Sequence, residues 1–289
     1  MRVVVLLLSL LVLTMLSHRA HAAESYAGCT GFVPSLPYTI STPGIWCLNK
    51  TLNTQATSGI SLTIASDNVT LDCNGFAISG NNKLRTGLMT AIYGKDRHIT
   101  TVRHCTVFSF DKGLDLQSTG AGGGHVVEDN NVYSMTMFGL RVEGDGSVVR
   151  HNLVSRVGAS NSTNPTGTTW GIYTVGSVNL SDNTVDGIIA RQGSNGSAYG
   201  IYTWKNPDGT IEGNRVHNLY ASGTGNIFGI ANIASGRVSV LDNDLFDYTH
   251  IGTGVSCADS SGRLKGNIIN GFALAVLRCG KAKDNDISP

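Results

Sequence analysis

The sequence predicts an all-β chain folded as a single-stranded parallel β-helix, a solenoid of about nine coils behind an N-terminal cap. Two recurring steps carry that prediction. The first is asparagine, any residue, then an apolar residue. It reads NGF at Asn74, CTV at Cys105, NNV at Asn130, NLV at Asn152, NTV at Asn183, NRV at Asn214, NDL at Asn243, NII at Asn267 and NDI at Asn285, with spacings of 31, 25, 22, 31, 31, 29, 24 and 18 residues. The second is a glycine followed by a short alternating strand: GLDL at Gly113, GLRV at Gly139, GIYT at Gly171 and again at Gly200, GIAN at Gly229 and GVSC at Gly254. Each unit is bounded by Gly, Asn, Asp or Ser and follows a period of two, which excludes a helical reading. A sandwich has no reason to keep one phased pair of strands and one asparagine per unit. Stacked coils need that phase to build a continuous core.

Taken from the N-terminus, residues 1–22 hold Arg2, the apolar run VVVLLLSLLVLTML and the sequence AHA before Ala23, the pattern of a secretory signal peptide. The run is too short and too near the cleavage pattern for a membrane anchor. The mature chain is therefore expected to be secreted or periplasmic, with no membrane span after signal cleavage. Six cysteines agree with an oxidising compartment. They permit 15 connectivities, of which the sequence-neighbour pairs Cys29 with Cys47, Cys73 with Cys105 and Cys257 with Cys279 are the expected ones. Residues 23–64 do not carry the repeat and are expected to form a cap, held by Cys29 and Cys47, over the exposed end of the solenoid. Residues 65–289 form the β-helix. There each asparagine is expected to take the left-handed conformation at a sharp corner and to bond through its amide to the next asparagine of the stack. Cys105 occupies that position in one coil, within bridging reach of Cys73.

Composition narrows the function. Charged residues make up 14% of the chain, against roughly 25% in an average globular protein, and the formal net charge is +1. Nothing in that balance suggests nucleic acid or an anionic membrane as a partner.

The asparagine and glycine steps from Asn68 to Ile287 resemble the repeats of right-handed parallel β-helices of the pectate-lyase-like superfamily, including the NosD-like periplasmic proteins. The lead YTISTPGIWCLNKTL is similar to the N-terminal segment of secreted bacterial β-helix proteins. The resemblance implies the fold and a polysaccharide or oligosaccharide as partner. It does not choose between lyase, hydrolase, epimerase, adhesin and non-catalytic protein, because such repeats serve all of them. The Gly-His-Gly and paired-aspartate motifs of polygalacturonases are absent, as is the Asp-Pro-His of alginate epimerases.

Phasing each strand on its glycine turns Leu114, Leu140, Ile172, Ile201, Ile230 and Val255 inward and the following residue outward. The outward ladder then reads Asp115, Arg141, Tyr173, Tyr202, Ala231, Ser256. A parallel ladder two residues on reads Gln117, Glu143, Val175, Trp204. Aromatic faces stack on sugar rings, so Tyr173, Tyr202 and Trp204 are the expected substrate-binding residues. Asp115, Arg141 and Glu143 are the expected catalytic ones. In a lyase on uronic-acid glycans, Arg141 neutralises the sugar carboxylate and Tyr202 or Glu143 removes the C5 proton. In a hydrolase the two carboxylates form an acid and base pair. The competing reading is a cross-strand salt bridge beside ordinary strand-forming aromatics, in a non-catalytic envelope, adhesin-like or glycan-binding protein.

A second outward ladder, Asp72, Arg103, Glu128, Arg150, Ser181, Glu212, Leu241, Lys265, Lys283, reads as solvated ion pairing between coils. His104 and His151 adjoin the corner asparagines, and His217 and His250 lie near Tyr220 and Tyr248. No two histidines share a ligand spacing, so no metal or other cofactor is expected. Calcium is the one cation for which an acidic run exists, at Asp242, Asp244 and Asp247, but strand alternation aims those side chains in different directions. Three insertions, GASNSTNPTGTTW, ARQGSNGSAY and ASGTGNIF, precede the glycine strands of successive coils. They are the expected wall of a binding site.

Overall fold

The computed structural model describes residues 26–81, 88–158, 166–205, 208–233 and 236–288. The signal peptide expected over 1–22 lies outside them. Among the described residues the strands form three parallel sheets of ten, ten and eleven strands, and no helix is long and apolar enough to cross a membrane. The fold is a right-handed parallel β-helix, the hand that strand twist imposes on parallel crossovers.

One coil shows the path. Val126–Glu128 lies in the sheet that leads to the asparagine corner, Asn131–Tyr133 in the back sheet beyond it, and Phe138–Glu143 in the third sheet. Ser147–Arg150 then pairs with Val126–Glu128 to begin the next coil. Each sheet sends one apolar column inward. Leu114, Leu140, Ile172, Ile201, Ile230 and Val255 of the third sheet are fully buried, opposite Val127, Val149 and Leu180 and beside Val132, Val154 and Val185. Each such side chain contributes about 1.5–3 kcal/mol relative to exposure, so the core grows by a layer with every coil and needs no helix to cover it.

Within residues 23–64, read from the sequence as a cap without the repeat, the stretch from Gly31 onward already contributes rungs. Gly31–Phe32 pairs with Gly44–Cys47 and that strand with Val69–Asp72. Tyr38–Ile40 pairs with Gly59–Ile64. This is why the sheets hold more rungs than the nine repeat signatures: these coils keep the inward apolar residues Ile40, Leu62 and Ile64 but not the asparagine step.

The asparagine corner departs from expectation in one respect. At Asn74 the asparagine itself is left-handed (φ 49°), as expected, but from Cys105 onward the left-handed residue is the one before the corner position: His104 (φ 52°), Asp129 (54°), His151 (54°), Asp182 (54°), Asp242 (51°) and Asp284 (53°), with Gly213 and Gly266 in the two other coils. All are residue types that tolerate positive φ. The asparagine that follows is thereby free to turn inward, and Asn130, Asn152, Asn183, Asn214, Asn243 and Asn267 are buried. Each donates from Nδ2 to Oδ1 of the next, at 2.9 to 3.0 Å from Asn130 through to Asn285. Each also bonds a main-chain carbonyl one coil back, as Asn183 does with Val149 at 2.9 Å. At the N-terminal end the ladder stops at Cys105, whose N–H donates to Asn130 Oδ1 at 3.0 Å. Disulfides join Cys29 to Cys47, Cys73 to Cys105 and Cys257 to Cys279.

Candidate functional site

The third sheet carries the residues singled out from the sequence, in the expected register. Asp115 pairs with Arg141, Arg141 with Tyr173, Tyr173 with Tyr202, and Tyr202 with Ala231. Beside them Glu143 pairs with Val175 and Val175 with Trp204. One step earlier, Tyr93 pairs with Asp115 and Lys95 with Gln117, extending both ladders by a phenol and an ammonium.

A third outward ladder, Lys112, Phe138, Trp170, Tyr199, Phe228, also emerges. Strict alternation would turn these residues inward. They face out because the glycine after each aromatic faces the core together with the residue behind it. A Cβ on Gly139 would lie 2.3 Å from Val154 Cγ1, and one on Gly200 would lie 2.2 Å from Val216 Cγ1. The signal is present in the sequence as an aromatic before each glycine, in FGLR, WGIY, YGIY and FGIA.

Two lanes of rings therefore run side by side. Trp170 stacks on Tyr199 (6.3 Å, 10°), Tyr199 on Phe228 (5.0 Å, 5°) and Tyr173 on Tyr202 (5.1 Å, 7°). Trp170 meets Tyr173 edge-on, as Tyr199 meets Tyr202. Burial pushes the Tyr202 phenol up to about 12, with Tyr173 and Tyr199 adding to the shift. Burial also raises Tyr173 and Tyr93. Tyr202 thus stays neutral across the ordinary pH range.

The three charged residues come together around Arg141. Its guanidinium bonds Glu143 Oε1 from Nε at 2.7 Å and also from Nη2, lies 3.8 Å from Asp115 Oδ1 and sits over the Tyr173 ring at 5.3 Å. Glu143 Oε2 accepts the Ser118 N–H at 2.9 Å. Asp115 is 1% exposed. Gln117 Nε2 donates to both of its oxygens at 3.0 and 3.1 Å, and Lys112 Nζ lies 3.6 Å away. Burial raises the Asp115 carboxyl in spite of the opposing pull of Arg141 and Lys112.

An open groove of about 1310 Å³ runs along the ends of these strands. Arg141, Glu143, Tyr173, Val175 and Trp204 line one side, with Lys95 and Lys205 adding positive charge and Asp145 negative charge, and with His98 also at the border. The other side is the loop 118–124, of sequence STGAGGG. Asp115 lies beneath the groove and does not line it. The sequence placed the wall at the three insertions; the larger depression has the glycine-rich loop as its wall instead. Of the insertions, Thr168, Trp170 and Tyr199 border a smaller cavity of about 520 Å³ together with Tyr173, Tyr202 and Trp204, and residues 159–165 lie outside the described ones.

The other candidates are dispersed. Arg103 pairs with Asp72 at 2.8 Å and Arg150 with Glu128 at 2.6 Å, the inter-coil ion pairing read from the sequence. His104 lies 3.1 Å from Asp72, His151 3.6 Å from Asp129, and His217 3.6 Å from Asp244. Asp242 turns a corner, Asp244 faces Arg215, and Asp247 is buried. Among the described residues, no three His, Cys, Asp or Glu side chains gather as a metal-holding group.

No family model and no curated protein matches the chain. Among solved structures it is similar to the A-module of the mannuronan C-5 epimerase AlgE4 of Azotobacter vinelandii, with TM-score 0.51 and 11% identity over 92% of this chain and 93% of that one. It is also similar to the A-module of the mannuronan C-5 epimerase AlgE6 of the same organism, at 12% identity over 92% and 91% of the two chains, with TM-score 0.38. At 11% identity what this chain shares with the AlgE4 module is its fold, the right-handed parallel β-helix.

Proposed function

We propose that this chain is an exported, polysaccharide-active β-helix protein that binds a uronic-acid-containing glycan in the groove of the third sheet and cleaves it as a lyase. The observation that carries the reading is Arg141, a groove-lining cation poised between Glu143 and the Tyr173 ring. Lys95 and Lys205 add to the positive lining, Trp204 on the groove and Tyr202 over the adjoining smaller cavity supply faces for sugar rings, and Tyr173 lies between them and Arg141. The three disulfides support an oxidising compartment. The fold shared with a protein named for its action on mannuronan supports a polysaccharide as the class of partner.

In the proposed reaction Arg141 turns from Glu143 to the sugar carboxylate, which stabilises negative charge developing at C5. The freed Glu143 carboxylate takes the C5 proton. The electron pair forms the C4–C5 double bond and the C4–O bond breaks. The leaving oxygen takes a proton from the neutral phenol of Tyr173. Asp115, buried under Arg141, acts as a positioning residue.

One observation favours a second reading, a glycan-binding protein without turnover: both Glu143 oxygens already have partners, Arg141 and the Ser118 N–H. Incubating the mature chain with polymers of mannuronate, guluronate, galacturonate and glucuronate separates the two. Absorbance from unsaturated ends that disappears in Glu143→Gln supports the lyase. Retarded migration in a gel containing the polymer, without such absorbance, supports the binder. Neither result with any polymer overturns the proposal.

A further inference from the structure

We propose a second carbohydrate site, on the back sheet, that takes a neutral sugar ring between Tyr220 and Tyr248. It is separate from the groove and does not depend on the reaction proposed there.

The site exists because the back sheet changes width. Leu153–Gly158, Thr184–Ile189 and Arg215–Tyr220 are six-residue rungs, continued past left-handed residues at Arg156 (φ 52°), Gly187 (70°) and Asn218 (56°). The next rung, Asp244–Phe246, has three residues, and the chain leaves the sheet at Asp247. Leu219 and Tyr220 therefore pair with Ile188 and Ile189 on one side and have no rung on the other. A cavity of about 420 Å³ opens there, lined by Ile189, Leu219, Tyr220, Asp247, Tyr248 and Thr249, with Gln192 and Asn218 among the remaining residues.

Its chemistry fits a sugar. Tyr248 and Tyr220 are 70% and 43% exposed, and Tyr248 is held edge-on against Phe246 at 4.5 Å. Two exposed rings beside a concave, partly apolar floor suit the CH face of a pyranose. Asp247 is 1% exposed. Thr249 Oγ1 donates to its Oδ2, and Oδ1 has no hydrogen-bond partner among the described residues. The main-chain N–H groups of Leu219, Tyr248 and Thr249 act on the carboxylate without closing a hydrogen bond to Oδ1, and a sugar hydroxyl that reaches this acceptor on binding would complete its partners. Burial raises this carboxyl, against the pull of Thr249 and nearby main-chain N–H groups.

The ligand's charge follows from the lining. Among the described residues no Lys, Arg or His borders the cavity, so a uronate carboxylate would meet Asp247 with no cation between them. The groove of the third sheet, bordered by the cations Lys95, Arg141 and Lys205 as well as by Glu143 and Asp145, can offer a uronate carboxylate the cation that this cavity lacks.

Calorimetric titration of the mature chain with tetrasaccharides of β-1,4-linked glucose and of β-1,4-linked mannose, and with mannuronate tetrasaccharide, tests the assignment. A neutral tetrasaccharide is expected to bind, with affinity reduced at least about tenfold in Tyr248→Ala and unchanged in Trp204→Ala. Asp247→Asn can still accept from Thr249 while presenting NH₂ in place of Oδ1, and it is expected to weaken binding as well. Tyr248 is exposed enough for its substitution to leave the fold intact, which the melting temperature checks. Absence of binding by both neutral tetrasaccharides, or wild-type affinity in both Tyr248→Ala and Asp247→Asn, overturns the site. Loss of neutral binding in Trp204→Ala overturns its separation from the groove. Failure of all uronate polymers in the groove experiment leaves these outcomes intact.

Discussion

The rings of Tyr173 and Tyr202 lie 5.1 Å apart with their planes 7° from parallel, one rung apart on the same outward ladder. Their spacing is that of the sheet itself, about 4.8 Å between strands, so the stack is imposed by register. If these rings bind glycan by their faces, the hydroxyl is dispensable and the ring is not. Tyr202→Phe is expected to retain affinity for a uronate polymer within about twofold, and Tyr202→Ala to lose about tenfold, roughly 1.4 kcal/mol. Affinity electrophoresis reads both. With its phenol pushed up to about 12, Tyr202 contributes no inflection to turnover or binding below about pH 11.

Arg141 holds the site together electrostatically. Its removal leaves the buried carboxylates of Asp115 and Glu143 without their shared cation, and stranding one member of a buried pair costs more than the pair contributes. Arg141→Met is expected to lower stability by about 3 kcal/mol and Glu143→Gln by less, since the amide oxygen keeps one of the two donors, Arg141 or the Ser118 N–H, while its NH₂ faces the other. Urea unfolding with an unchanged slope and a shifted midpoint is the check.

Gly200 explains both the repeat and its limits. A Cβ there would stand 2.2 Å from Val216 Cγ1 and 2.7 Å from the Gly229 carbonyl oxygen. Gly200→Ala is expected to cost about 1–3 kcal/mol through overpacking. Gly193→Ala, with nothing within 4 Å of its Cβ position but a φ of +72°, is expected to cost about 1 kcal/mol through backbone strain alone. The difference in thermal midpoints distinguishes them.

The same glycine shows how far the sequence reaches. Stacking in register multiplies one pattern through the chain, so GIYT at Gly171 and Gly200 announces the coil, its inward Ile172 and Ile201, and its outward Tyr173 and Tyr202. Alternation counted from the glycine fails one residue earlier, where Gly and Ile face the core together and Trp170 and Tyr199 are turned outward. Asp115 sits on the outward ladder, yet Lys112, Gln117 and Arg141 close over it, and no period in the sequence records that burial. The groove's far wall, 118–124, is a single glycine-rich loop without a counterpart in the repeat, whereas the three insertions stand out because they recur.

His125 should make the solenoid sensitive to acid. It is fully buried, accepts the Thr100 N–H at Nδ1 at 3.4 Å and has no partner at Nε2 among the described residues. Burial, with His98 adding repulsion, pushes it from 6.5 down to about 4. The folded chain therefore binds fewer protons than the unfolded chain between these values, and stability rises with pH there. The neutral imidazole's full contribution is present above about pH 6.5, and up to about 3 kcal/mol is lost as pH falls through about 4. Unfolding midpoints measured from pH 7 to 4 are expected to fall, and His125→Leu is expected to flatten that part of the profile.

The asparagine ladder gives a graded prediction along the axis. Asn183 Nδ2 donates to Val149 O and Asn214 Oδ1, its own Oδ1 accepts from the N–H and Nδ2 of Asn152, and its N–H donates to Asn214 Oδ1. Asn183→Ala leaves the Asn152 donors and the Asn214 acceptor short of a partner in a buried column, at about 1–3 kcal/mol for each group left unsatisfied. Asn285 accepts from the N–H and Nδ2 of Asn267 in a partly exposed coil where water replaces what is lost. Asn285→Ala is therefore expected to cost under about 1 kcal/mol, and Asn183→Ala roughly 3. Hydrogen exchange separates a local from a shared effect: Asn183→Ala should raise exchange at the Asn152 and Thr184 amides on either side of the break, and Asn285→Ala only at the last corner. Equal costs at the two positions would mean that the ladder follows the stacking of the coils without contributing to it.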